Sequence, residues 1–195
     1  MPEPLDADAD LVRRCLAGDG DGFARILERY NAPVYSFLLR FVGDAADAED
    51  LAQETFLKAF RSLESYDQSR PLRSWLFAIA HHAALDFLRA RKPAALSLDH
   101  EDDPIDPADA ADGPEKLAEI ALDGALVEKL IAALPPLYRE VLLLRHLQDL
   151  SVAEVAAALA VPEGTVKIRL FRAREMMRQK WETFENNETG EVPHP

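Results

Sequence analysis

Eleven Lys and Arg side chains fall in two short stretches. Arg70, Arg73, Arg89, Arg91 and Lys92 lie within 70–92, and Lys167, Arg169, Arg172, Arg174, Arg178 and Lys180 lie within 167–180. Only Asp86 and Glu175 oppose them. Cations at that density neutralise phosphate, and an arginine fork on a helix can meet a guanine edge in the major groove. The first stretch also interleaves Trp75, Phe77 and Phe87. Rings beside cations suit unpaired bases, although side chains such as Trp75 and Phe77 are more often core than stacking platforms. Other chemistries find no support. His81 and His82 are adjacent and would point about 100° apart on a helix, and Cys15, His100, His146 and His194 lack ligand spacing. No glycine-rich phosphate loop, nucleophile elbow or paired-carboxylate arrangement stands out. The sequence therefore predicts no catalysis, no metal and no cofactor.

These stretches are cationic islands in an acidic chain. The 195 residues include 22 basic and 35 acidic side chains, a net charge of −13. Residues 1–10 carry −4, 93–128 carry −10 and 182–195 carry −4, leaving +5 on the remainder. The whole-chain sum, which would repel phosphate, hides two basic patches. Cys15 is the only cysteine, so no internal disulfide can form, and no apolar run approaches the ~20 residues of a membrane span. The N-terminal MPEPLDADAD has neither a basic start nor a hydrophobic stretch. A soluble protein of the reducing cytoplasm, without membrane insertion, is expected.

The elements that must hold these residues are helices. Residues 93–114 contain four prolines and seven acids with no helical period, and predict a flexible acidic linker over 93–115. It divides an N-terminal domain, 1–92, from a C-terminal domain, 116–181, with a disordered tail at 182–195. Apolar spacing predicts helices near 8–17, 22–42, 45–64 and 71–91, then 116–134 and 136–147. Ser151 with Glu154 forms a capping-box pattern, and Ala160-Val161-Pro162 a tight break before a helix over about 162–181. The fold class is all-α, with two small helical domains.

A short capped helix, a tight turn and a basic amphipathic helix suggest a helix-turn-helix. Val166, Leu170, Ala173 and Met177 share its inner face. Ile168 and Arg172 lie opposite, flanked by Lys167, Phe171 and Arg178, so Lys167, Ile168 and Arg172 would stand nearest base edges. Arg174, Arg178 and Lys180 suit phosphates. A solvated basic face remains open as the alternative, since cations also answer a helix C-terminus. In helix 71–91, Leu72, Leu76, Ile79, Ala80, Ala83 and Phe87 form the expected core stripe, with Ser74, Trp75, Ala78, His82, Leu85 and Arg89 around the other side.

Three motifs carry a resemblance. DAEDLAQETFLKAFRSLESYD at 47–67, RPLRSWLFAIAHHAALDFLRARK at 70–92, and LPPLYREVLLLRHLQDLSVAEVAAALAVPEGTVKIRLFRARE at 134–175 follow one another in the order of the bacterial extracytoplasmic-function (ECF) sigma factors, which the chain resembles. The resemblance implies sigma region 2 in 1–92 and region 4 in 116–181. Its implied partners are core RNA polymerase, promoter DNA and, as in many relatives, an anti-sigma protein. It matches Asp50, Gln53, Glu54, Phe56, Lys58 and Arg61 to the segment that docks on the clamp helices of the polymerase largest subunit. It assigns recognition and melting of the −10 element to 65–92, including Arg70, Arg73, Trp75, His82 and Arg89, with a loop near Ser65–Pro71 that captures a flipped base. It assigns the −35 element to Thr165, Lys167, Ile168, Arg169, Phe171, Arg172 and Arg174. His82 stands where many members carry Asn, and Ile168 where a small polar residue is frequent, so the promoter bases are not implied. Rival readings are a dimeric helix-turn-helix regulator and a non-DNA interaction protein with an acidic partner.

Overall fold

The computed structural model describes residues 5–91 and 124–189, and within these it is helical without strands. The linker expected at 93–115, the helix start at 116–123 and the chain beyond Thr189 lie outside the described residues. The N-terminal half contains α1 (Leu5–Leu16), α2 (Gly20–Val42), α3 (Ala45–Ser62), a 3-10 turn at Leu63–Ser65, and α4 (Leu72–Arg91). The C-terminal half contains α5 (Gly124–Ala132), α6 (Pro136–Leu142) passing into a wide π turn at Leu143–Leu147, α7 (Val152–Leu159) and α8 (Glu163–Thr189).

Local chemistry sets the boundaries. Asp19 caps α2 by accepting from Asp21 N–H, and Asp44 caps α3 by accepting from Ala46 and Asp47 N–H at 2.9 and 3.0 Å. Gly43, at φ 86°, ends α2 in the left-handed conformation and donates to Leu39 O at 2.9 Å. Gly22 has a different task. A Cβ there would lie 2.9 Å from Cys15 N and Sγ, so its absence lets α1 and α2 approach. The Asp8 carboxylate on α1 crosses the same seam, accepting from Arg29 Nη1 at 2.9 Å and Tyr30 OH at 2.5 Å. Burial raises the Asp8 pKa and, with the carboxylate beside it, pushes the Tyr30 phenol well above its ordinary value.

Phe37, Phe41, Phe77, Ile26, Leu38, Leu72 and Leu76 fill the N-terminal half, and Leu134, Leu143, Leu144 and Leu150 the C-terminal half. These belong to one continuous core, because α4 packs against α7 and α2 against α5, α6 and the π turn. That contact explains a departure from the expected α4 stripe. Leu72, Leu76, Ala80 and Ala83 are buried as expected, but so are Ser74, Phe77, His81 and Ala84, whereas Ile79 and Phe87 are half-buried. A second buried face cannot be read from a helix whose covering partner lies sixty residues away.

One boundary is corrected. Residues 182–189, read from the sequence as the start of a disordered tail, are the last turns of α8. Arg178 Nη1 donates to Glu182 at 2.6 Å and Thr183 Oγ1 to Gln179 O at 2.8 Å, so polar contacts four residues apart carry the helix beyond its apolar stripe.

Candidate nucleic-acid interface

The helix-turn-helix is built as its sequence requires. Ser151 Oγ accepts from Glu154 N–H at 3.2 Å while Ser151 N–H donates to Glu154 Oε2 at 2.8 Å, a complete capping box at the start of α7. Ala160 closes that helix at φ 54°, and its N–H bonds Ala156 O. Three residues later α8 begins. Val155 and Leu159 of α7 and Val166, Leu170, Ala173 and Met177 of α8 are all buried, so the remaining face of α8 is fixed in direction. Lys167 is exposed at its N-terminal end, with Thr165, Ile168, Phe171, Arg172 and Arg174 partly exposed around it.

Arg169 does not join them. Its Nη1 donates to Glu140 Oε1 at 3.0 Å beneath the helix, and its side chain is 14% exposed. The spacing that placed Arg169 on the basic face could not reveal Glu140, a buried carboxylate on α6. Arg178, expected among the phosphate contacts, is ion-paired with both Glu175 and Glu182, which raises its pKa through those bonds.

The second basic site is the loop before α4 and the start of that helix. Asp67 Oδ1 accepts from Ser69 N–H at 3.0 Å and Ser69 Oγ at 2.7 Å, and these bonds hold its pKa below the usual carboxylate value. Tyr66 OH donates to Arg70 O, and burial pushes its pKa up to about 12. The Tyr66 ring lies 4.8 Å from that of Trp75, tilted by 42°. Trp75 and Arg73 are partly exposed, and Arg70, His82 and Arg89 are exposed. Arg70 and Arg89 are held loosely by Asp67 at 3.6 Å and Asp86 at 3.2 Å, while His82 Nδ1 bonds Ala78 O at 2.7 Å. A tied loop, a half-open indole and cations around it form a surface able to stack a base and meet phosphate.

A third surface is apolar. On α3, Asp50, Gln53, Glu54, Lys58 and Arg61 are exposed, with Lys58 bonded to Glu54 at 2.7 Å, whereas Phe56 is buried within the fold. Beside them an open groove of about 1100 Å³ runs between α2 and α3, with Leu27, Leu57 and Phe60 along it. Leu57 and Phe60 are 56% and 61% exposed. Residue patterning left them out, although two large apolar side chains off the core stripe of an acidic helix were the available signal. Among the described residues no group of three His, Cys, Asp or Glu side chains is placed to hold a metal, and no helix is long and apolar enough to cross a membrane.

A helical chain with a helix-turn-helix in one half and a basic, ring-bearing helix in the other has the parts of a protein that meets DNA at two places. Comparison with known proteins gives that class its family. The Sigma-70 region 2 profile matches residues 26–93 and the Sigma-70 region 4 profile residues 125–177. The ECF RNA polymerase sigma factor SigW of Bacillus subtilis is 32% identical over 182 residues, covering 87% of this chain and 94% of that protein. The RNA polymerase sigma-H factor of Pseudomonas aeruginosa is 34% identical over 176 residues, covering 87% and 91%. Among solved structures, CnrH in complex with the cytosolic domain of CnrY matches with a TM-score of 0.68 at 26% identity, covering 91% of this chain and 99% of that one. The sigma factor RpoE of Bartonella quintana, in complex with the anti-sigma factor NepR, matches with a TM-score of 0.63 at 25% identity, covering 82% and 96%. The chain belongs to the ECF sigma factors: it binds core RNA polymerase and directs promoter-specific initiation of transcription, itself a non-enzymatic factor.

Proposed function

We propose that three surfaces divide this work. The exposed side of α3, with Asp50, Gln53, Glu54, Lys58 and Arg61 around the apolar Leu57 and Phe60, docks on the polymerase clamp helices, and Phe56 supports that surface from beneath. The Ser65–Pro71 loop with Arg70, Arg73, Trp75, His82 and Arg89 receives the −10 element as it opens. The outer face of α8, with Thr165, Lys167, Ile168, Phe171, Arg172 and Arg174, reads the −35 element, and Arg169 holds that helix in place. In this division 1–92 is the −10 module and 116–181 the −35 module. The protein acts in the cytoplasm, and an anti-sigma factor, as seen with the related RpoE, is its regulator.

The observation that carries this reading is the pairing of a capped helix-turn-helix with a separate ring-and-cation site in one acidic chain. Two weak DNA contacts gain from effective concentration once both halves are mounted on polymerase. Arg172→Ala in the reconstituted holoenzyme tests it. Discrimination between a functional and a mutated −35 element should fall by about 1–3 kcal/mol, the size of a bidentate base contact. Unchanged promoter preference would remove Arg172 from the reading face.

A further inference from the structure

The two DNA-facing halves are clasped to each other through a buried carboxylate. Glu140 on α6 is 4% exposed and accepts from Arg169 Nη1 on α8 at 3.0 Å. Its other oxygen lies 2.8 Å from Nε2 of His81, on α4 in the opposite half. Three more contacts cross the same boundary. Arg40 Nη2 donates to Glu128 at 2.9 Å, Arg139 Nη1 to Phe41 O at 2.8 Å, and Gln148 Nε2 to Pro33 O at 3.2 Å. The His81 ring also packs 6.1 Å from that of Phe41.

Promoter geometry conflicts with this clasp, on the reading that α4 meets the −10 element and α8 the −35 element. Elements about 25 base pairs apart are separated by about 85 Å of DNA at 3.4 Å per step. The longest helix, α8, has 27 residues and so measures about 40 Å. Halves packed against each other cannot reach both elements. The 32 residues between Arg91 and Gly124 can span at most about 110 Å, so the chain length permits separation. His81 Nδ1 at this contact, and Ser74 Oγ seven residues earlier on α4, are buried without a hydrogen-bond partner among the described residues. Unsatisfied buried groups weaken a contact, which suits one that must open.

We propose that the His81–Glu140 bond is an autoinhibitory latch. It holds the free chain closed, with α7 over α4, and must break for the protein to engage polymerase and promoter together. His81 is a cross-half tether rather than a DNA contact, and Arg169 orients Glu140 for it.

Proximity at the exposed Arg40–Glu128 pair gives the test. In a full chain carrying Cys15→Ser, Arg40→Cys and Glu128→Cys, a short bismaleimide should link positions 40 and 128 within the free protein. The linked chain should support promoter-specific transcription with core polymerase at least tenfold less well than the same chain capped by a monofunctional maleimide. Adding His81→Ala should lower the linking rate about tenfold, the scale for losing a hydrogen bond to a charged group. Far-UV circular dichroism checks its fold, and Gln148→Ala, which touches no buried charge, should lower the rate in the same direction by less. Absence of linking in the free chain would overturn the latch. So would a linked chain that initiates as well as the capped one, or rates unaffected by both substitutions. If the capped chain itself fails to direct transcription, the sigma-factor reading is at fault, while the linking rates still decide whether the chain is closed.

Discussion

Removing the Phe60 ring isolates the apolar part of polymerase docking. A phenylalanine side chain has about 150–250 Å² to bury. With 61% of the residue exposed, roughly 90–150 Å² of ring awaits cover. At about 25 cal/mol per Å² that corresponds to ~2–4 kcal/mol. Alanine retains the Cβ and docking imposes ordering costs, so Phe60→Ala should weaken binding by about 1.5–3 kcal/mol, roughly ten- to 150-fold in Kd. Among the described residues, the ring contact of Phe60 within the fold is a T-shaped one with Phe23, at 5.0 Å and 73°, worth about 0.5–1.5 kcal/mol. The domain should therefore survive. The assay is equilibrium titration of fluorescently labelled protein with core polymerase at fixed ionic strength, with thermal melts as the control for folding. Leu16→Ala, on α1 and outside the groove, should bind as wild type. Equal affinities for Phe60→Ala and wild type would refute the docking of this face.

Three further outcomes are expected. Arg169→Ala leaves Glu140 buried with one partner fewer and should lower stability by about 3 kcal/mol in urea titration, whereas Lys167→Ala should change it by less than about 0.5; a wild-type midpoint for Arg169→Ala would return Arg169 to the DNA face. Gly22→Ala drives a methyl into Cys15 N and Sγ and should cost about 1–2 kcal/mol despite alanine's better helix propensity, while Gly20→Ala, with open space around it, should be neutral or stabilising. Asp67 has its pKa lowered by Ser69, so its contribution to the loop is present at neutral pH and is lost as pH falls below about 4. Trp75 emission in a Trp181→Phe chain should change over that interval, and the same chain with Asp67→Ala should lack the step; superimposable profiles would contradict the role of Asp67.

Periodicity and caps made most helices legible. Val166, Leu170, Ala173 and Met177 share one face by spacing alone, and all four are buried; Ser151 and Glu154 announce a capping box that closes as written. The helix-turn-helix and the basic helix were thus visible before their packing. What stayed hidden depends on partners distant in sequence. His81 read as one of a histidine pair without ligand spacing, because nothing local points to Glu140 fifty-nine residues on. Arg169 sat correctly in the basic stretch, yet a neighbouring helix claims its charge. The end of α8 was missed because composition registers the acids after 181 as a solvated tail, while the Arg178–Glu182 and Thr183–Gln179 contacts support helix there. Leu57 and Phe60 are not marked by charge, and their exposure becomes visible only once the core faces of α2 and α3 are packed.

Paired assays with and without core polymerase, on a duplex bearing both promoter elements and on a scrambled control, bear most directly on the central account. The isolated chain, at −13 overall, should give no specific gel shift at physiological salt, while the reconstituted assembly should start RNA selectively on the intact template. Tight, sequence-specific binding by the chain alone, or transcription no more selective than that of the bare enzyme, would contradict it.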